Sequence, residues 1–287
     1  LVEDKQFSTM LKKDVQFSGP TLFTGQYSSV KISTSPTFDG IYFKRIDITG
    51  SAPIKASLEN VYKTQRTTIL GSEKASIILV EHLLSVLYVL GIKKALIEVE
   101  GPEIPIGDGS AMHIIQAIFD AGVEYSTERV FLPLDAPISF EEGKQSIVAV
   151  PAKNFTVSYV LNYPGQPLLE SQTHEFTFGV EEFIQEIAPC RTFALKAEVD
   201  FMMSQGFLKG NSLNFGVVID QGKVLNPGGL RFHNEMARHK ILDFLGDFAL
   251  ADLDLSMHNI SLRSGHQANI DFAKKITNHL KVNSYGS

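Results

Sequence analysis

The stretch Arg238-His239-Lys240-Ile241-Leu242-Asp243-Phe244-Leu245-Gly246-Asp247 sets a histidine and two aspartates at i, i+4 and i+8. Read as a helix, each four-residue step advances about 400°, so the three side chains drift only ~40° per step and share one stripe. An imidazole and a carboxylate one turn apart on one face can ligate a single metal ion. A solvated polar stripe on an amphipathic helix has the same spacing. Two further stretches give this one company: Val80-Glu81-His82 upstream and Ser264-Gly265-His266 downstream.

The elements that must position these residues follow from periodicity and caps. A helix from about His233 to Leu250 carries the stripe. Ser72 is placed to cap a helix from Glu73 to Leu90, closed by Gly91, with Glu81 and His82 in its middle about 100° apart. That helix is apolar nearly all round, so its two ionisable residues need buried partners. Ser110 caps a helix to Ala121, ended by Gly122. A short helix is expected over Glu181–Ile187 and a final one over Ala268–Leu280, after a strand Ile260–Ser264. Other strands are expected at Val30–Ser33 and Ile41–Ile46, joined through a turn at Ser35–Gly40, then at Lys94–Glu100, Ile138–Phe140, Ser146–Val150, Phe155–Leu161 and Thr173–Phe178. The order strands–helix–strand–helix occurs twice. It predicts an α+β protein of two similar two-layer halves, each a mainly antiparallel sheet with two helices on one face. Polar residues Glu124–Arg129 mark the boundary, giving domains 1–127 and 128–287. Residues 194–219 break the pattern: Met202, Met203, Phe207, Leu213, Phe215 and Val217 are interrupted by Gly206, Gly210 and Gly216. They are expected to form a short insert with adaptable apolar walls, suited to an acyl chain or to a satellite core.

Composition narrows the function classes. Of 287 residues, 44% are hydrophobic and 20% charged, with a net charge of −6. That is a globular composition, and the acidic balance argues against nucleic acid held by bulk charge. The single cysteine, Cys190, allows no internal disulfide and no cysteine-based metal site, and points to a reducing compartment. The start Leu1-Val2-Glu3-Asp4-Lys5 has no basic, then apolar, secretory pattern. The most apolar stretch, Ala75–Ile92, contains Glu81 and His82 and is expected to be a buried helix, with no stable membrane insertion. A cytoplasmic monomer is the expectation.

Six motifs, in one order, carry a resemblance. They are Val80-Glu81-His82-Leu83-Leu84, Pro102-Glu103-Ile104-Pro105-Ile106-x-Asp108-Gly109-Ser110, Arg191-Thr192-Phe193, Leu225-Asn226-x-x-Gly229-Leu230-Arg231-Phe232, Arg238-His239-Lys240-x-x-Asp243-x-x-Gly246-Asp247 and Ser264-Gly265-His266. Together, from about Gln16 to the last helix, they resemble the UDP-3-O-acyl-N-acetylglucosamine deacetylases, zinc-dependent enzymes of bacterial lipid A synthesis. The resemblance implies two α+β domains sandwiching an active site. It implies one Zn2+ per chain held by His82, His239 and Asp243, with Glu81 as general base. It also implies Thr192 at the oxyanion and His266 as donor to the leaving amine, oriented by Asp247. The substrate it implies is an acylated UDP-sugar. Lys240 is a candidate for the diphosphate, Phe193 and the insert for sugar and acyl chain, and Lys144 is a further phosphate candidate. Phe215 stands where the family carries a smaller residue, which would narrow or re-route an acyl passage. Phe23 stands where some members carry histidine, and Ile78 and Leu79 where small hydroxyl residues often precede Val-Glu-His. Two other readings stay open: a zinc hydrolase acting on another acylated or N-acetylated substrate or on a peptide, although the chain lacks His-Glu-x-x-His, and a non-catalytic binder of nucleotide sugars or acyl groups.

Overall fold

The computed structural model describes residues 6–34, 38–209 and 213–284. Residues 35–37 of the expected Ser35–Gly40 turn, and Gly210 of the insert, lie outside them. Among the described residues the helices are α1 (Val80–Val89), α2 (Met112–Ala121), α3 (Val180–Glu182, running into a wider π turn, Phe183–Ile187), α4 (Lys196–Ser204), α5 (Glu235–Phe248) and α6 (His266–Ser284).

The first half is built on a five-stranded sheet in the order Val15–Pro20, Tyr27–Ser33, Ala95–Glu100, Ile41–Arg45, Ile54–Lys55. Its strands alternate as a half-buried sheet must: along Tyr27–Ser33, Ser28, Val30 and Ile32 point inward and are buried. The buried face shares one continuous core with Leu83 and Leu87 of α1 and Ile114 and Ile118 of α2. The second half runs Ile138–Glu142, Gln145–Pro151, Leu255–Leu262, Thr156–Leu161, Gln172–Thr177. There α6 lies on the first two strands and α5 on the last two.

The halves share one topology. In each, a hairpin comes first, and the last strand to be made enters the middle. That middle strand pairs antiparallel with the hairpin's second strand and parallel with the next strand. One helix precedes the middle strand and one follows it: α1 and α2 around Ala95–Glu100, α5 and α6 around Leu255–Leu262. The α+β architecture of two sheet-and-helix halves is therefore as expected. The site lies where α1 and α5, one from each half, pack side by side. Gly246 permits that approach, because a Cβ there would run into the Glu81 carbonyl oxygen.

Several boundaries differ from those expected. Helix α1 begins at Val80, not Glu73. Ser76–Ile78 is a strand of a small sheet with Val61–Lys63 and Ile69–Gly71, and Ser72 closes the hairpin rather than capping a helix. Leu79 breaks from strand to helix at a φ of 66°. Three apolar-flanked residues satisfy either period, and pairing with Ile69–Gly71 decides for the strand. Glu81 and His82 consequently sit in the first turn of α1, not its middle. The strand before Gly265-His266 is Leu255–Leu262, and α6 begins at His266 itself. The insert is a strand, Phe193–Leu195, then α4, then Val217–Asp220 and Lys223–Val224. No helix among the described residues is long and apolar enough to cross a membrane.

Candidate active site and metal centre

His82 comes from the first turn of α1, His239 and Asp243 from successive turns of α5. One donor atom from each lies within 4.8 Å of the others, and all three residues are buried. The Nδ1 of His239 lies 3.0 Å from the Cys190 carbonyl oxygen, to which it donates. That bond fixes the tautomer and leaves Nε2 as the free lone pair, 3.3 Å from Asp243 Oδ1. The Nδ1 of His82 is buried with no hydrogen-bond partner, which is costly unless a cation or water completes it. Burial, then His239 beside it, hold His82 down at about 3, so it is neutral and able to ligate. Burial pushes the Asp243 carboxyl up, but Lys240 and His239 outweigh it and hold the group well below the usual carboxylate range. Two imidazoles and one carboxylate fit a divalent ion with room for a further ligand.

Glu81 lies beside this group. Its Oε1 accepts from the Thr67 hydroxyl at 2.8 Å and its Oε2 from the Thr68 backbone N–H at 3.1 Å. Burial, reinforced by Asp247 and Asp243 against the opposing pull of His266, raises its carboxyl to about 7. His266, the first residue of α6, directs Nε2 at Glu81 Oε1 and Asp243 Oδ2, 4.0 Å from each. Its Nδ1 donates to Asp247 Oδ2 at 2.9 Å. Burial works against the imidazolium, but Asp247 and the other carboxylates outweigh it and raise His266 to about 9. A carboxylate near its midpoint therefore faces a cationic imidazole beside a metal-capable triad, the separation of acid and base expected of paired proton-transfer groups.

Of these, Glu81, His82, Asp243 and His266 line a cleft of about 430 Å3, together with Thr192, Phe193 and Lys240. The Thr192 peptide is stitched between Gly109 O and Val217 N at 2.8 and 2.7 Å. The Lys240 ammonium donates to Asp243 Oδ2 at 2.7 Å and lies 5.8 Å from the centre of the Phe193 ring. Phe215 is in an adjoining apolar recess of about 60 Å3 beneath the insert, with Val199 and Leu208. Lys144 is not brought to the cleft. It is exposed at the tip of the Glu142–Gln145 hairpin, and Gln145 lines the wall instead.

Several quoted motif residues frame the site rather than enter it. The buried carboxylate of Glu103 accepts from the backbone N–H groups of Leu22, Phe23 and Thr24 and from the Thr24 hydroxyl. It thereby shapes the loop whose Leu22 and Phe23 wall the cleft. Glu235, fully buried at the start of α5, receives Arg191 Nε at 2.8 Å and the Arg231 backbone N–H at 2.7 Å. That ties the Cys190–Phe193 segment to the helix bearing His239 and Asp243.

Sequence reading missed Thr67, Thr68, Asn269 and Tyr163. The Thr68 hydroxyl donates to Asp247 Oδ1 at 2.5 Å, and Asn269 Nδ2 donates to Oδ2 at 2.9 Å. Tyr163 lines the cleft. Asn269 alone carried a signal, one helical turn after His266 on the same face. The threonines carried none, because their partners are remote in the chain.

A family model described as UDP-3-O-acyl N-acetylglycosamine deacetylase matches residues 8–278. The chain is 36% identical over 271 residues to the UDP-3-O-acyl-N-acetylglucosamine deacetylase of Geotalea uraniireducens, covering 94% of this chain and 88% of that protein. It is 37% identical over 264 residues to the protein of the same name from Geobacter sp. (strain M21), covering 92% and 86%. Against its namesake from Chlamydia pneumoniae it is 36% identical over 274 residues, covering 95% and 97%. With the motifs in one order, two halves of one topology and a His-His-Asp group between them, the chain belongs to the UDP-3-O-acyl N-acetylglycosamine deacetylase family.

Proposed function

We propose that the protein hydrolyses the 2-acetamido group of UDP-3-O-acyl-N-acetylglucosamine, releasing acetate and the free amine, a step of lipid A biosynthesis. The substrate follows the names of the relatives. The observation that carries the chemistry is the meeting of Glu81 and His266 beside the His82–His239–Asp243 group in one cleft. A non-catalytic binder needs neither a carboxylate near its midpoint nor an imidazolium facing it.

A single zinc ion is the reading for His82, His239 and Asp243; when bound it supplies Lewis acidity, polarising the amide carbonyl and lowering the pKa of water to ~7. The chain's own groups do the rest. Glu81 takes the proton from the attacking water. The Thr192 hydroxyl donates to the oxygen on which negative charge develops. His266, held cationic by Asp247, protonates the departing amine nitrogen, and the C–N bond breaks to leave acetate. Lys240 receives a phosphate oxygen of the diphosphate, exchanging part of its pairing with Asp243 for it. Phe193 packs on the sugar, and the recess at Phe215 receives the acyl chain. The substrate is soluble through its nucleotide, which fits work in the cytoplasm.

The test is acetate release from UDP-3-O-acyl-N-acetylglucosamine by the purified chain. Release that a chelator stops and zinc restores is expected. No release from protein holding one zinc would overturn the substrate assignment.

A further inference from the structure

Thr67 and Thr68 fall in a stretch that no motif covers, yet they touch both carboxylates behind the proposed proton transfers. Thr67 Oγ1 donates to Glu81 Oε1 at 2.8 Å, and the Thr68 N–H donates to Glu81 Oε2 at 3.1 Å. The Thr68 hydroxyl donates to Asp247 Oδ1 at 2.5 Å. Both threonines are buried, at 2% and 0% exposure. Thr68 therefore reaches across the two halves, from the connection just before Ile69–Gly71 to α5, 179 residues away in the chain. Asp247 Oδ2 is already taken by His266 and Asn269. The Thr68 hydroxyl is the bond that engages the other oxygen and sets the plane of that carboxylate.

We infer that Thr68 is a positioning residue for the deacetylation: its two bonds lock Glu81 and the Asp247–His266 pair into one register, and the Thr67 hydroxyl completes the lock on Glu81. The inference rests on the proposed reaction. Its physical content is geometric. Glu81 Oε1 and His266 Nε2 stand 4.0 Å apart; the threonine pair bonds Glu81 directly, and His266 is aimed through Asp247, whose other oxygen Thr68 holds. Rotation of either carboxylate would misplace its proton acceptor or donor, and displacements near 1 Å at such groups cost roughly 10²-fold in rate. Substrate touches neither threonine in this scheme, so binding is untouched.

The test uses the zinc-loaded full chain. Thr68→Val keeps the shape and the N–H but removes the hydroxyl; Thr68→Ser keeps the hydroxyl. Thr68→Val is expected to lower kcat about 10- to 100-fold with KM within about twofold and zinc content unchanged, and Thr68→Ser to recover most of kcat. In an Asp247→Asn background Thr68→Val should add little, because the bond it removes serves that carboxylate. Equal loss in Val and Ser variants, a change confined to KM, or full additivity with Asp247→Asn would overturn the inference. If Thr68→Val does not fold, Thr67→Val carries the test, because its hydroxyl is placed against Glu81: an unaltered kcat there would overturn it. Wild-type protein that releases no acetate would instead refute the reaction itself, and the two failures are distinct.

Discussion

Two of the buried charge clusters are built on opposite principles. Around Arg129, every group is satisfied. Its Nε and NH2 fork onto the two oxygens of Asp254, and its NH1 donates to the Tyr88 carbonyl oxygen. Lys93 adds a second cation to Asp254 at 2.9 Å. Tyr88, Phe131 and Phe178 surround the guanidinium at 5.0–5.2 Å. Burial raises the Asp254 carboxyl, but Arg129 and Lys93 outweigh it, and it stays low. In the cleft, three carboxylates crowd within reach of His266, a His82 nitrogen has no partner, and Glu81 is pushed to about 7. Paired opposite charges with full hydrogen bonding make a strut. Like charges held together with an orphaned ligand atom make a site that needs a cation and a proton to become comfortable.

Substitutions should separate the two. Glu81→Gln is expected to lower turnover by about 10²- to 10⁴-fold without lowering the midpoint of urea unfolding. A large loss of stability with normal turnover would invert the comparison. Arg129→Met leaves Asp254 buried beside one cation and should cost about 3–5 kcal/mol in urea unfolding, with kcat per folded molecule unchanged. A specific loss of kcat there would make the strut part of the machinery. Asp247→Ala should lower turnover by roughly 10-fold or more while zinc stoichiometry holds. Loss of bound zinc would mean that this carboxylate belongs to the metal.

The clusters should also answer to pH differently. The proposed reaction requires Glu81 deprotonated and His266 protonated, so kcat should fall as pH drops below about 7 and again as it rises above about 9. A bound cation favours both deprotonated forms and moves both limbs to lower pH. The Asp254 carboxyl is depressed from 3.8, so its stabilisation is present above that value and is lost as pH falls through its lower folded value. Arg129→Met should reduce that component of acid unfolding, leaving the part that Lys93 supplies, and leave the activity limbs in place. The smallest effect is expected from neither cluster: Phe215→Ala should shift acyl-length preference more than it alters turnover of the best substrate. An unchanged chain-length profile would remove Phe215 from the acyl recess.

How much was readable from the chain can be judged residue by residue. His239, Asp243 and Asp247 were legible because a helix converts a spacing of four into a shared face. Glu81 and His82 were legible as a motif, but their place in the helix was not. The segment Glu73–Ile78 satisfies a helical pattern until Ser76–Ile78 finds Ile69–Gly71 to pair with. Lys144 stands at the tip of its hairpin while its neighbour Gln145 lines the cleft, a one-residue difference that pairing register decides. The doubled topology was readable from element order alone, since strand pairing requires polarity and size in a pattern rather than particular side chains.

Local order along the chain determined the α+β class, the metal-capable residue types and their spacing on α5. Those depend on backbone periodicity, which neighbouring residues set among themselves. Tertiary structure alone decided that His82 would meet His239 and Asp243, that Glu81 would be buried enough to approach 7, and that Thr68 would hold two carboxylates from opposite halves. Each of those depends on the close packing of α1 on α5 over Gly246, a contact between residues more than 150 positions apart, and desolvation exists only once that contact has formed.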